Sequence, residues 1–145
     1  MTMMRVHHTN IRVVDPAPEV RFYRSLGFQL FGCMRLGAFY TLYLSLPGDS
    51  NCVELTVNEA ADASWPRDMG SGHVAIVVDD LDETLRQLAS KGIEPIVAPM
   101  HPANRSDVRV CFLQGPSGYK VELIDGGDFR PPKEALPAAL GDYDR

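Results

Sequence analysis

At 145 residues, with 45% hydrophobic and 23% charged residues, the chain has the make-up of one ordinary globular domain, which excludes bulk disorder. Fourteen Lys and Arg against 19 Asp and Glu leave a net charge of -5, so the basic face that a nucleic-acid binder needs is missing. Met1 to His8 holds no apolar stretch of the signal-peptide kind, and no apolar run approaches the roughly 18 residues of a membrane span.

Three cysteines, Cys33, Cys52 and Cys111, are an odd set without CxxC spacing. Neither a disulfide framework nor a thiolate zinc site is expected from them, and Cys52 and Cys111 read as small strand-filling residues. The expectation is a soluble, cytoplasmic protein with no nucleic-acid and no membrane partner.

The first strand runs through His8 to Val13, with Thr9, Ile11 and Val13 on one face and His8, Asn10 and Arg12 on the other. Asp15 followed by Pro16 places a helix cap and a first-turn proline, Ala17, Val20 and Tyr23 mark the buried stripe, and Gly27 ends the helix. Strand-like runs follow at about 28–35, 38–46 and 51–58, with a turn at Pro47-Gly48.

The same plan then recurs. Residues 8–27 (HTNIRVVDPAPEVRFYRSLG) and 73–92 (HVAIVVDDLDETLRQLASKG) both start at His, pass an apolar run to Asp, and reach Gly 19 positions on. Asp80 with Glu83 is a variant capping box, Leu81, Thr84, Leu85 and Leu88 recur at helical spacing, and Gly92 closes the helix. Further strands are expected at about 94–99, 108–114 and 119–125. Cys52-Val53-Glu54-Leu55 matches Lys120-Val121-Glu122-Leu123, so His to Glu is 46 positions in the first half and 49 in the second.

The order is therefore β-α-β-β-β twice, an α+β domain over 1–125 built of two modules at about 4–58 and 72–125. Residues 126–145 read as a tail with at most one short helix and no assigned chemistry.

Alternation within the strands sets the candidate chemistry. Val53, Leu55 and Val57 oppose Cys52, Glu54 and Thr56; Val74, Ile76 and Val78 oppose His73; Tyr119, Val121 and Leu123 oppose Lys120, Glu122 and Ile124. With the more apolar faces packed on the helices, His8, Glu54, His73 and Glu122 all fall on the other side of the strands. Two imidazoles and two carboxylates make a mixed nitrogen and oxygen donor set suited to Ni²⁺, Co²⁺ or Zn²⁺. His7 is expected on the packed face, and His101 in a Pro-flanked loop. Both read as structural.

These residues resemble the vicinal oxygen chelate superfamily and, within it, the short bacterial type of glyoxalase I, the lactoylglutathione lyases. The resemblance rests on His8-Thr9-Asn10-Ile11-Arg12-Val13, on Phe22-Tyr23 with Leu26-Gly27-Phe28, and on Val53-Glu54-Leu55-Thr56-Val57-Asn58. It continues through Gly72-His73-Val74-Ala75-Ile76 and Gly115-Pro116-Ser117-Gly118-Tyr119-Lys120-Val121-Glu122-Leu123, covering residues 4–125. It implies paired βαβββ modules forming cupped mixed sheets, with His8, Glu54, His73 and Glu122 as metal ligands. A homodimer is also implied, in which His8 and Glu54 come from one chain and His73 and Glu122 from the other. Histidine at position 8, with no long insertion between Glu54 and His73, is similar to the nickel- or cobalt-dependent branch more than the zinc branch.

The implied reaction converts the hemithioacetal of methylglyoxal and glutathione to S-lactoylglutathione by proton transfer through a metal-bound enediolate. Glu122 is the implied general base and Glu54 the opposite acid/base. Arg12 and Asn58 occupy positions that contact the glutamyl end of glutathione in the family. Three features depart from the family pattern. Glu59-Ala60 stands where Trp-Gly is usual. Met69, with Arg67 before it, stands where an Arg is often found, and the loop before the seventh strand lacks its lysine.

Three other readings stay open. A methylmalonyl-CoA epimerase-like enzyme would use similar proton chemistry but usually has Gln in place of Glu54. An extradiol dioxygenase would use His8, His73 and Glu122 as an iron triad, with Glu54 intruding. A drug-sequestering protein of the bleomycin resistance type would have no use for a full donor set.

Overall fold

The computed structural model describes residues 3–59, 72–102, 105–116, 119–125 and 130–145. Ala60, Arg67, Met69, Ser117 and Gly118, all singled out in the sequence, lie outside the described residues. The elements are β1 (Met4–Val13), α1 (Pro16–Ser25), β2 (Gln29–Arg35), β3 (Phe39–Ser45) and β4 (Cys52–Asn58). They continue as β5 (His73–Val78), α2 (Leu81–Ala89), β6 (Val97–Met100), β7 (Arg109–Gln114) and β8 (Lys120–Asp125). This is an α+β chain in which a β-α-β-β-β run occurs twice. No helix among the described residues is long and apolar enough to cross a membrane.

Both helices start where the sequence places their caps. The Asp15 carboxylate accepts from the Ala17 N–H at 3.1 Å, with Pro16 in the first turn where no donor is lost. The Asp80 carboxylate accepts from the Glu83 N–H at 2.9 Å. Val20 of α1 and Leu81 and Thr84 of α2 are buried, and Ala17, Tyr23, Leu85 and Leu88 pack beside them half-buried. These are the stripes that helical spacing marks.

The chain divides into two compact units. One comprises Thr9–Gly72 with Arg130–Arg145, the other Met1–His8 with His73–Phe129, so β1 supplies residues to both. In the first unit the strand order is β2-β3-β4-β1, with β3 antiparallel to both β2 and β4. Ile11, Val13, Val53, Leu55 and Val57 join Leu30, Leu42 and Leu44 in its core, the apolar side expected from alternation.

Arg130–Arg145 fastens to the β2 edge of this unit. The Cys33 N–H donates to the Pro132 carbonyl at 2.8 Å and the Glu134 N–H to the Cys33 carbonyl at 3.1 Å, a parallel bridge at Lys133. Gly32 makes the approach possible, because a Cβ there would lie 2.7 Å from the Pro131 ring. Leu140, in a short 3-10 turn at Ala138–Leu140, is buried in the core, with Leu136 and Tyr143 packed against it. A strand edge that would otherwise offer unpaired N–H and C=O groups is thereby covered.

In the second unit the order is β1-β5-β8-β7-β6, with β5 parallel to β8 and β7 antiparallel to β8 and β6. Val78, Leu81, Cys111 and Leu123 form its core, with Ile76 and Val121 alongside. The strand expected at 94–99 is shifted. Its ladder starts with the Ile96 N–H on the Phe112 carbonyl at 2.8 Å, since Pro95 has no N–H to offer, and β6 runs Val97–Met100.

Candidate metal centre

Three of the four sequence-assigned donors converge within the second unit. His8 lies near the end of that unit's stretch of β1, His73 opens β5, and Glu122 stands in β8. The parallel register sets His73 opposite Lys120 and Ala75 opposite Glu122, so His73 and Glu122 share a face of adjacent strands with only the small Ala75 between. Glu122 Oε1 is 3.3 Å from His73 Nε2 and 3.5 Å from His8 Nε2, and the two Nε2 atoms are 3.3 Å apart. One donor atom from each residue lies within 4.8 Å of the others. His8 is 2% exposed, and the His73 and Glu122 side chains are 13% and 14% exposed, so the cluster is mostly shielded from water. Phe112, opposite Glu122 on β7, sets its ring edge-on to His73 with centroids 5.4 Å apart.

The donor chemistry fits a divalent cation. Ligand atoms held about 2.1 Å from one ion at tetrahedral or octahedral angles stand about 3.0–3.4 Å apart, close to the 3.3–3.5 Å seen here. Two imidazole nitrogens and a carboxylate oxygen converging at this range repel one another unless a proton or a cation lies among them.

Glu54, the fourth assigned donor, belongs to the first unit and is 7% exposed. The Asn10 side-chain amide donates to Glu54 Oε1 at 2.7 Å and to Thr56 Oγ1 at 2.6 Å, satisfying two buried acceptors from one group. The resemblance divides the four ligands between two chains; in the structure a single chain supplies three of them together.

Arg12 is half-buried in β1, and desolvation lowers its guanidinium pKa. Asn58 is half-buried at the end of β4. Gly72, at φ +109 just before His73, admits no side chain, because a Cβ would collide with the Asn10 carbonyl oxygen.

Two residues near the donors were not assigned a part by the sequence. Asn10 is the amide that engages Glu54. His7, expected on the packed face, is buried and brings its Nδ1 to 2.8 Å from His8 Nδ1, with the rings edge-on at 78°. His7 and His8 are consecutive in β1, both are buried, and their rings touch. His101 lies in a loop, its Nδ1 2.7 Å from the Val108 carbonyl, a structural partner as expected.

The thiols stand apart from this chemistry. Burial first, then Glu54, pushes the Cys52 thiol up to about 12; burial, then Glu122, pushes Cys111 up to about 11. Both stay protonated near neutral pH, which suits packing and not metal ligation.

Comparison with known proteins bears on the same residues. The family model described as Glyoxalase/Bleomycin resistance protein/Dioxygenase superfamily matches residues 5–123. A lactoylglutathione lyase of Haemophilus influenzae is 31% identical over 127 residues, 84% of this chain and 93% of that protein. A probable chloroplastic lactoylglutathione lyase of Arabidopsis thaliana is also 31% identical over 97% of this chain, which spans 41% of its length. Among solved structures, the methylmalonyl-CoA epimerase of Mycobacterium tuberculosis superposes with a TM-score of 0.67 at 22% identity, over 84% of this chain and 87% of that one, a likeness of fold. With the duplicated β-α-β-β-β plan and a family match over most of its length, the chain belongs to the glyoxalase/bleomycin resistance protein/dioxygenase superfamily.

Proposed function

We propose that the protein is a divalent-metal-dependent lyase of the glyoxalase I type, acting on the hemithioacetal of methylglyoxal and glutathione to give S-lactoylglutathione. The observation that carries this reading is the convergence of His8, His73 and Glu122, with donor atoms 3.3–3.5 Å apart, in a chain similar to lactoylglutathione lyases. His8 and His73 would hold the ion with Glu122, and Glu54 is assigned as fourth ligand on the duplicated pattern. Ni²⁺ or Co²⁺ is the favoured ion, with Zn²⁺ the alternative. When bound, the cation supplies Lewis-acid stabilisation for negative charge developing on two neighbouring oxygens of the substrate.

The chain's own residues do the rest. Glu122 is the general base, removing the proton next to the carbonyl and returning it to the neighbouring carbon. Glu54 is the second acid/base group, and Asn10, donating to Oε1, holds its carboxylate in place. Arg12 and Asn58 are assigned to the glutamyl end of the tripeptide. The buried setting of the imidazoles limits competition from water for the proton in transit. The homodimer implied by the resemblance and the cytoplasmic setting expected from composition are part of this reading.

Methylglyoxal and glutathione, supplied with the Ni²⁺-loaded protein, are expected to give thioester absorbance. Bound metal without thioester would shift the reading to another proton-transfer enzyme of the superfamily. A second reading draws on the same trio, since two histidines and one carboxylate are also the donor set of non-haem iron oxygenases. Oxygen uptake with Fe²⁺ and a catechol would favour it.

A further inference from the structure

The contact between His7 and His8 has a chemical consequence. Their Nδ1 atoms are 2.8 Å apart, and both rings are buried, His7 5% and His8 2% exposed. Two neutral imidazoles make such a contact only when one of the two Nδ1 atoms carries the hydrogen. The other nitrogen of His8, Nε2, is the one turned to His73 Nε2 at 3.3 Å and to Glu122 Oε1 at 3.5 Å. A nitrogen that is to ligate a cation must present its lone pair, so the proton of a ligating, neutral His8 sits on Nδ1. That Nδ1–H then has His7 Nδ1 as its acceptor, and a neutral His7 carries its own proton on Nε2.

We propose that His7 is a positioning residue. By accepting from His8 Nδ1 it fixes the ring and tautomer of His8, and so raises the affinity of the His8–His73–Glu122 cluster for a divalent cation. The inference deepens the proposed function and rests on its metal site. Histidines that bind metals commonly donate their second nitrogen to a carboxylate or a backbone carbonyl, and loss of such a partner typically costs 10–100-fold in affinity. Here the acceptor is the neighbouring imidazole, buried beside His8 in β1 with its Nδ1 at 2.8 Å.

The test uses the full chain in three forms: wild type, His7→Leu, which removes the acceptor, and His7→Asn, whose side-chain oxygen falls near the place of Nδ1. Nickel affinity is measured by competition with a chelator. The tautomer of His8 in the metal-free protein is read from long-range ¹H–¹⁵N spectra at a pH where the ring is neutral. His8 is expected to be Nδ1-protonated in wild type. His7→Leu is expected to lose 10–100-fold in affinity, and His7→Asn to stay within about threefold of wild type.

Equal affinity in wild type and His7→Leu, or an Nε2-protonated His8 in wild type, would overturn the proposal. Loss in His7→Asn as large as in His7→Leu would overturn it too, assigning the effect to packing. A wild type that holds no divalent ion sinks the metalloenzyme reading by itself. The spectrum then decides the role of His7: an Nδ1-protonated His8 that changes tautomer in His7→Leu supports it, and any other result overturns it. If His7→Leu does not fold, the wild-type spectrum and the His7→Asn affinity carry the same decision.

Discussion

Two glutamates at matching places in a duplicated plan have come to sit in different company. Glu54 in β4 is held by the amide of Asn10, while Glu122 in β8 faces two imidazoles. Counting from the histidine that aligns the halves, the residue two positions on is Asn10 in one and Ala75 in the other. An amide beside the carboxylate gives it a fixed hydrogen-bond donor; a methyl group leaves it turned toward basic nitrogens. The two carboxylates thus differ in at least one neighbour, an amide donor at Glu54 and two imidazoles at Glu122.

The largest expected effect breaks that comparison at its chemical end. Glu122→Gln keeps size and one oxygen but cannot accept the proton, so turnover should fall by about 1,000-fold while the circular dichroism spectrum and melting temperature stay at wild-type values. Glu54→Gln keeps an oxygen for Asn10 and should cost about 10- to 100-fold. Equal losses in both variants, measured as thioester formation, would mean that the two carboxylates are chemically interchangeable.

A middle-sized effect comes from making the first half like the second. Asn10→Ala strips the donor from a Glu54 that is 7% exposed, and a buried acceptor left without its partner costs about 2 kcal/mol in unfolding free energy. Thr56 loses its partner in the same substitution. Urea denaturation reads the result. No change in midpoint would mean that water replaces the amide and that Glu54 is not anchored by Asn10.

Much of the fold, though not the contrast between the two glutamates, is legible in the sequence alone. The caps at Asp15 and Asp80 are local signals, each acting on an N–H two or three residues away, and they appear where the spacing places them. The period-two reading of β4, β5 and β8 places Val53, Leu55, Val57, Ile76, Val78, Val121 and Leu123 in the cores, because a slip of one residue would turn that apolar set to the other face. What the sequence does not disclose depends on neighbours remote in the chain or on local irregularity. The Asn10–Glu54 bond joins strands 44 positions apart. The contact between the His7 and His8 rings joins consecutive residues, a pairing that period-two alternation does not announce. The seating of residues 131–134 on β2 turns on the missing side chain of Gly32, which in the sequence is one glycine among 12.

The smallest expected effect concerns that covering segment, which belongs to the first unit alone. Asp144 accepts from the Leu30 N–H at 2.7 Å and from Arg24 Nε at 2.9 Å, joining the end of the chain to β2 and α1. Desolvation would raise its pKa, but the Leu30 N–H and the Arg24 guanidinium together outweigh it and hold the carboxyl below its ordinary value. A carboxyl whose folded pKa is depressed contributes stability in full above its unfolded value of about 3.9, and that contribution fades as the pH falls through the folded value. The melting-temperature gap between wild type and Asp144→Asn should therefore be constant above about pH 5 and close as the solution is acidified below about pH 4. Asn keeps an oxygen for Leu30 but not the charge for Arg24, so the gap is expected to be small, a degree or two in a domain of this size. A gap that widens on acidification would place the depressed carboxyl elsewhere and leave the covered β2 edge held by the Pro132–Glu134 bridge and the apolar contacts of Leu136, Leu140 and Tyr143.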